Sequence, residues 1–77
     1  MLFDTTVRNN IKWANNKADD KLIWEACKIS YCDDFINDFP KGLDTVIGEN
    51  GIKLSGGQRQ RLSIARAIIR TPSILLL

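Results

Sequence analysis

The chain has 77 residues, two cysteines, no histidine and a formal net charge of +2. A chain of this length forms one small domain at most, and its composition (44% hydrophobic, 26% charged) is typical of a globular protein. The missing histidine excludes catalysis by a histidine base, and two cysteines are too few for a disulfide scaffold or a zinc site. We therefore predict no catalytic residue and no metal ligand within the chain. We also expect no transmembrane segment, because no apolar run approaches about 18–20 residues. We expect no signal peptide, because Asp4, Asn9 and Asn10 stand where its apolar region would have to be.

The first half of the chain predicts short helices separated by polar loops. Thr5 or Thr6 can cap a helix over Val7–Trp13, and Asp19 is a good N-cap for a helix over about Asp20–Tyr31. A further turn starts at Asp33 or Asp34 and ends before Pro40. Cys27 and Cys32 are five residues apart, which places them well apart around a helix. We interpret them as two reduced thiols that pack as small apolar residues.

The second half predicts one long helix followed by a strand. Ser55 and Gln58 form an S-x-x-Q capping box, and the helix then extends to about Arg70, before Thr71-Pro72. Ser73–Leu77 is apolar without alternation, which indicates a buried strand. Because such a strand needs neighbouring strands, we expect this chain to be a piece of a larger protein. In the isolated piece we expect Ser73–Leu77 either to be disordered or to pair with another copy of the chain. Arg61 falls within the apolar arc of the helix, so we expect it to be at least half buried and paired with a carboxylate or backbone carbonyls.

Charge is distributed unevenly along the chain. Residues 1–51 carry six Lys/Arg and nine Asp/Glu, a net −3, whereas residues 52–77 carry five basic side chains and no acid. The basic part suggests an anionic partner such as phosphate or nucleic acid, or docking on the acidic part. Arg59, Ser63, Arg66 and Arg70 lie on one side of the long helix. A small interaction module that binds a membrane protein or nucleic acid through this basic helix is therefore an alternative function.

The start of the long helix is a candidate phosphate site. Gly56 and Gly57 occupy its first turn, where the backbone amides are unpaired and carry the positive end of the helix dipole. Glycine lets a phosphate approach such amides without meeting a Cβ. Ser55 and Gln58 flank the pair, and Lys53 adds a positive charge. A plain glycine-rich helix entry is the other interpretation, because short glycine motifs have many false positives.

The run Leu54-Ser55-Gly56-Gly57-Gln58 is similar to the LSGGQ signature of ATP-binding cassette (ABC) transporters. The resemblance covers almost the whole chain and is closest to bacterial exporters of the lipid A flippase and multidrug type. It includes the segments Leu2-Phe3, Thr6-Val7, Asn10-Ile11, Asp34-Phe35-Ile36, the 40–45 run, the exporter-type X-loop over 44–51, Ser63–Ala67 and Pro72–Leu77.

This resemblance implies a mainly α fold, namely the helical subdomain and signature helix of an α/β P-loop ATPase without its Walker A half. Residues 1–51 would form the helical subdomain with its X-loop. Residues 52–77 would hold the signature motif, the signature helix and the start of the Walker B strand. The chain holds no G-x-x-x-x-G-K-[ST] sequence and no Walker B acids, so we expect the isolated 77 residues to be inactive and to bind no nucleotide.

The resemblance also implies roles for individual residues in a complete transporter ATPase. Ser55, Gly56, Gly57 and Gln58, with Lys53 and Leu54 beside them, would contact ATP and its Mg²⁺ held by a second nucleotide-binding domain in a head-to-tail dimer. Thr45, Gly48, Glu49 and Gly51 of the X-loop would face the coupling helices of the transmembrane domain, although Val46 and Asn50 replace the family's usual acid and arginine. The implied location is the cytoplasmic face of the inner (plasma) membrane, with lipid or drug-like substrates and no nucleic acid partner.

Overall fold

A computed structural model of the chain describes residues 4–71, which are mainly helical with a small two-stranded sheet. The predicted strand Ser73–Leu77 lies outside these residues. The elements in chain order are strand β1 (Thr5–Thr6), helix α1 (Val7–Lys12), helix α2 (Asp20–Ile29), helix α3 (Asp33–Ile36), a 3-10 turn (Gly42–Asp44), strand β2 (Val46–Ile47) and helix α4 (Gly56–Arg70).

Three helices begin at the residues that the sequence predicts. The Thr6 hydroxyl accepts the Asn9 N–H at 3.1 Å, and the Asp19 carboxylate accepts the Leu22 N–H at 2.9 Å. At the start of α4 the Ser55 hydroxyl accepts the Gln58 N–H at 3.1 Å, while the Gln58 side-chain carbonyl accepts the Ser55 N–H at 2.9 Å. The predicted capping box is therefore present, because it depends only on residues three positions apart.

The end of α2 differs from the prediction. The helix ends at Ile29, two residues early, and Tyr31 adopts a left-handed conformation with φ of 64°. The Cys32 N–H donates to the Cys27 carbonyl at 2.8 Å, and the Tyr31 N–H donates to the Lys28 carbonyl at 3.3 Å. These two bonds form a Schellman motif, which closes a helix with one left-handed residue and brings the residues on either side of it together. Cys27 and Cys32 are consequently neighbours, and our expectation that their spacing separates them is wrong.

The two short strands connect the start of the chain to the loop before α4. They pair antiparallel, with Thr5 opposite Ile47 and Thr6 opposite Val46, and Ile47 also forms a parallel bridge to Ile52. The Val7 N–H donates to the Thr45 carbonyl at 2.9 Å, so the first amide of α1 is bonded to this loop. The sheet thus fixes the loop over 44–51 against the beginning of α1.

One hydrophobic core joins both parts of the chain. Its fully buried large side chains come from α1, α2, α3, β2 and α4, namely Ile11, Ile23, Ile36, Ile47, Leu62 and Ile69. Helix α4 packs against α1 and α2 across this core. The proposed division at residue 51 remains a prediction about the larger protein, since within residues 4–71 the two parts share one core.

The buried arginine of α4 is not the predicted one. Arg61 is exposed and has no ion pair within the described residues, whereas Arg66 is only 8% exposed. The buried face of α4 consists of Leu62, Ala65, Arg66, Ile68 and Ile69. Ile64 shifted the predicted apolar arc toward Arg61, but its side chain is 46% exposed. The core-facing stripe therefore follows positions 62, 65, 66 and 69, which are spaced by three and four residues.

Between residues 4 and 71, none of the helices has both the length and the apolar character that crossing a membrane requires.

Candidate functional site

The first turn of α4 presents backbone amides that the fold does not use. Gly56 and Gly57 are exposed, and neither of their N–H groups donates a hydrogen bond within residues 4–71. No acidic side chain occupies this turn. The next two amides are bonded, since the Gln58 N–H donates to the Ser55 hydroxyl and the Arg59 N–H donates to the Ser55 carbonyl at 3.0 Å. Two free amides at the positive end of a 15-residue helix form a site suited to an anion.

Gly56 and Gly57 have no steric reason to be glycine in this fold. A Cβ at Gly56 would meet nothing within 4 Å, and one at Gly57 would meet only the Ser55 hydroxyl oxygen at 4.0 Å. Neither residue has a positive φ. Glycine lowers helix stability by up to about 1 kcal/mol relative to alanine in a helix interior, and neither packing nor backbone conformation in residues 4–71 explains the pair. Bare amides beside open space are what a ligand that approaches the backbone closely requires.

Two other glycines illustrate the contrast. Gly48 has φ of +113°, and a Cβ there would collide with the Asp4 carboxylate. A Cβ at Gly51 would collide with the Val46 carbonyl. These two positions are glycine because the loop needs them to be, whereas the glycines of α4 leave their space open.

The flanking predicted residues divide between the surface and the core. Lys53 and Ser55 are exposed, Gln58 is partly buried, and Leu54 packs against the hydrophobic core. Leu54 therefore anchors the approach to the helix. The Ser55 hydroxyl accepts one hydrogen bond and keeps its own proton available, and the Gln58 side-chain NH₂ group is likewise a donor. The turn thus offers an anion two backbone and two side-chain donors, with the Lys53 charge nearby.

The loop over 44–51 forms a separate feature that is fixed by Asp4. The Asp4 carboxylate accepts the Glu49 N–H at 2.6 Å and the Asn50 side-chain NH₂ at 3.1 Å. Glu49 itself is exposed, whereas Thr45 is buried and its hydroxyl has no hydrogen-bond partner within the described part of the chain. No hydrogen bond in residues 4–71 joins this loop to the first turn of α4.

Arg8 forms an ion-pair network with Asp20 and Asp44 that the sequence did not predict. Through Asp44, this network contacts the start of the same loop. The Arg8 guanidinium donates to both carboxylate oxygens of Asp20, at 2.8 and 3.0 Å, and also to the Asp44 carboxylate. The hydrogen bond from Arg8 holds the pKa of Asp20 below its usual value, and the two carboxylates raise the pKa of Arg8. Arg8 thereby ties α1 to the start of α2 and to the 3-10 turn. No local pattern could reveal it, because Arg8 and Asp44 are 36 residues apart.

The predicted arginine stripe of α4 is interrupted. Arg66 is buried beneath Trp13. Burial is the main cause that lowers the pKa of Arg66, and the nearby positive charge of Arg70 adds to it. Arg59, Ser63 and Arg70 remain exposed. The continuous basic face that nucleic acid binding would use is therefore broken at its centre.

Comparison with known proteins identifies the family that shares these features. The sequence profile of the family described as ABC transporter matches residues 2–77. The chain is 57% identical over 77 residues to an ATP-dependent lipid A-core flippase of Yersinia pestis bv. Antiqua. It is 50% identical over 76 residues to the uncharacterized ABC transporter ATP-binding protein YwjA of Bacillus subtilis, and 47% identical over 76 residues to ABC transporter B family member 4 of Dictyostelium discoideum.

The match over nearly the whole chain shows that it belongs to the ABC transporter family. Each of these alignments covers 99% of the chain but only 13%, 13% and 10%, respectively, of the relative. The chain thus spans between about a tenth and an eighth of the length of these three relatives.

Proposed function

We propose that this chain is the helical subdomain and signature helix of an ABC exporter ATPase, and that the first turn of α4 binds the γ-phosphate of ATP held by a second nucleotide-binding domain. The observation that carries the proposal is the pair of unused amides at Gly56 and Gly57, which lie beside open space in a turn without acidic residues. The family membership supplies the ligand, because its members are ATP-binding proteins.

Each residue of the turn has a role in this proposal. The Gly57 amide and the Ser55 hydroxyl donate to the phosphate oxygens, and the Gly56 amide and the Gln58 side-chain NH₂ support them. Lys53 contributes positive charge toward the nucleotide, and Leu54 holds the turn on the core. ATP and Mg²⁺ belong to the site that the second domain completes, and hydrolysis is the activity of that assembled ATPase. We expect no turnover by residues 1–77 alone, since their sequence supplies no Walker A lysine to hold the phosphates.

We further propose that the loop over 44–51 transmits the state of the nucleotide site to the transmembrane domain. Glu49 and the apolar side chains of Val46 and Ile52 are exposed around this loop, which offers a partner both a charge and an apolar contact. Gly48 and Gly51 shape the turn, and Thr45 bonds it to α1 through its carbonyl. By analogy with the lipid A-core flippases, the transported substrate is a lipid. The wider family resemblance adds drug-like molecules as substrates and the cytoplasmic face of the membrane as the location of the site.

A substitution that stabilises the helix while blocking the phosphate tests the role of α4. Gly57→Asp places a carboxylate in the first turn, where it interacts favourably with the helix dipole by about 0.3–1 kcal/mol. The same carboxylate repels a phosphate at the amides. In the complete transporter we expect Gly57→Asp to fold with unchanged or higher thermal stability, to bind ATP at its own Walker A loop, and to lose ATP-dependent dimerisation and hydrolysis.

Ser63→Asp is the matched control. Ser63 is exposed on the same helix and lies about 9 Å from Gly57 along the helix axis. An aspartate at position 63 therefore adds the same negative charge, but away from the first turn. We expect Ser63→Asp to hydrolyse ATP at a rate close to the wild type. Equal, undiminished turnover by both folded variants would refute the proposed role of the turn.

A further inference from the structure

The end of α2 brings two buried thiols close together in the core. Cys27 and Cys32 have no exposed surface, and both are free thiols. In a Schellman motif the residues that the 6→1 hydrogen bond joins also bring their side chains together, and here those residues are the two cysteines. The two thiols are close enough to shift each other's pKa. The signature turn and the loop over 44–51 do not use either thiol.

The surroundings make the two sulfurs unequal. The Ser30 hydroxyl lies 3.2 Å from the Cys32 sulfur. The interaction with the Cys27 thiol, followed by those with the Ser30 hydroxyl and the positive charge of Arg61, lowers the pKa of the Cys32 thiol against the opposing effect of its burial. The interaction with Cys32, together with burial, raises the pKa of the Cys27 thiol. Cys32 is therefore the better nucleophile of the pair and Cys27 the resolving thiol, because the thiolate is the reactive form.

The pair lies beside an exposed turn at the end of α2. The thiols lie at the last turn of α2 and just before α3, and the side chains of Ile29 and Tyr31 between them are 51% and 67% exposed. Helix ends open locally at a small cost compared with the whole domain. A small oxidant can therefore reach the sulfurs without global unfolding.

We propose that Cys27 and Cys32 form a redox pair that closes reversibly to an intrachain disulfide and locks the end of α2. With glutathione disulfide as the oxidant, the Cys32 thiolate attacks one of its sulfurs and releases one glutathione. The Cys27 thiolate then attacks the Cys32 sulfur of the mixed disulfide and releases the second. Two thiols are oxidised, one disulfide is reduced, and the two protons pass to the glutathione thiolates.

The test compares disulfide formation in the folded and unfolded states of the same chain. The purified chain, whose only cysteines are these two, is equilibrated in glutathione redox buffers with and without urea. Circular dichroism verifies the folded and unfolded states. Mass spectrometry of acid-quenched samples measures the fraction of chains with an intrachain disulfide, which are two hydrogen atoms lighter than the reduced chain. We expect the equilibrium constant for intrachain disulfide formation to be about tenfold higher in the folded chain, equivalent to roughly 30 mV of reduction potential.

Two substitutions at Tyr31 isolate the contribution of the turn. Tyr31→Gly keeps the left-handed conformation at no steric cost and should retain the folded-state preference. Tyr31→Val, which is β-branched and disfavours a positive φ, should reduce it. A folded-state equilibrium constant equal to or below the unfolded one, or glutathione remaining bound at either cysteine, would overturn the proposal. An unchanged constant in folded Tyr31→Val protein would overturn the role of the turn.

Discussion

The Arg66 guanidinium lies over the Trp13 indole ring, 5.9 Å from the ring centroid, and joins the C-terminal half of α4 to the end of α1. Arg66 is buried while Trp13 is 65% exposed, so the ring covers a charged side chain that would otherwise face water. A cation over an aromatic face and an apolar stem packed below it both favour the folded state.

Arg66→Ala should therefore destabilise the chain more than the same change at Arg61. We expect the free energy of unfolding to fall by about 1–2 kcal/mol for Arg66→Ala, through lost packing and the lost contact with Trp13. Arg61→Ala, at an exposed position of the same helix, should change it by less than about 0.5 kcal/mol. Urea unfolding followed by circular dichroism measures both values. An Arg61→Ala variant that loses as much stability as Arg66→Ala would contradict this assignment.

Alanine should have opposite effects at two glycines. Gly48→Ala forces a positive φ on a residue with a Cβ and drives that Cβ into Asp4, so we expect a loss of about 1–3 kcal/mol in the free energy of unfolding. Gly56→Ala has open space around it and gains helix propensity, so stability should stay unchanged or rise by up to about 1 kcal/mol. Thermal unfolding of the two variants side by side decides this, and a destabilised Gly56→Ala chain would show that the glycine has a structural role.

The cap of α4 should contribute to stability independently of any ligand. Ser55→Ala removes the acceptor of the Gln58 N–H and should lower the free energy of unfolding by about 0.5–2 kcal/mol. Ser55→Asn retains a capping oxygen and serves as the control, with stability close to that of Ser55. If Ser55→Ala unfolds at the same urea concentration as the wild type and Ser55→Asn, the capping box makes no net contribution to stability.

The pair between Arg8 and Asp20 should make stability depend on pH in the acidic range. The pKa of Asp20 is lowered in the folded state from its usual value of 3.8, mainly by the hydrogen bond to Arg8. Its contribution is therefore complete above pH 3.8, and it is lost as the pH falls through the lowered folded-state value. Asp20→Asn should be less stable than the wild type near neutral pH, and the difference should shrink as the solution is acidified.

Urea titrations of both proteins at several pH values measure this difference. Raising the salt concentration should also reduce it, because Asp20 is exposed to solvent and its attraction to Arg8 is screened. A difference that is constant across the acidic range would indicate that Asp20 contributes through something other than its charge.

The sequence by itself determined the features that depend on close neighbours along the chain. The caps at Thr6, Asp19 and Ser55 are bonds between residues three positions apart, so the residue types reveal them directly. The bounds of α4 follow from its capping box and from Thr71-Pro72. The signature run at 54–58 is also local, and for this reason the family and the candidate phosphate turn could be predicted without a structure.

Only the tertiary structure decided which side chains meet. Ile64 is apolar yet exposed, so the face of α4 that enters the core, and with it the buried Arg66, depended on how α1 and α2 pack against the helix. Tyr31 gives no glycine signal for the end of α2, so the contact between the cysteines stayed hidden in the sequence. Arg8 meets Asp44 across 36 residues. In each case the energy of packing or pairing between distant segments outweighed the local preference, and a linear pattern carries no information about it.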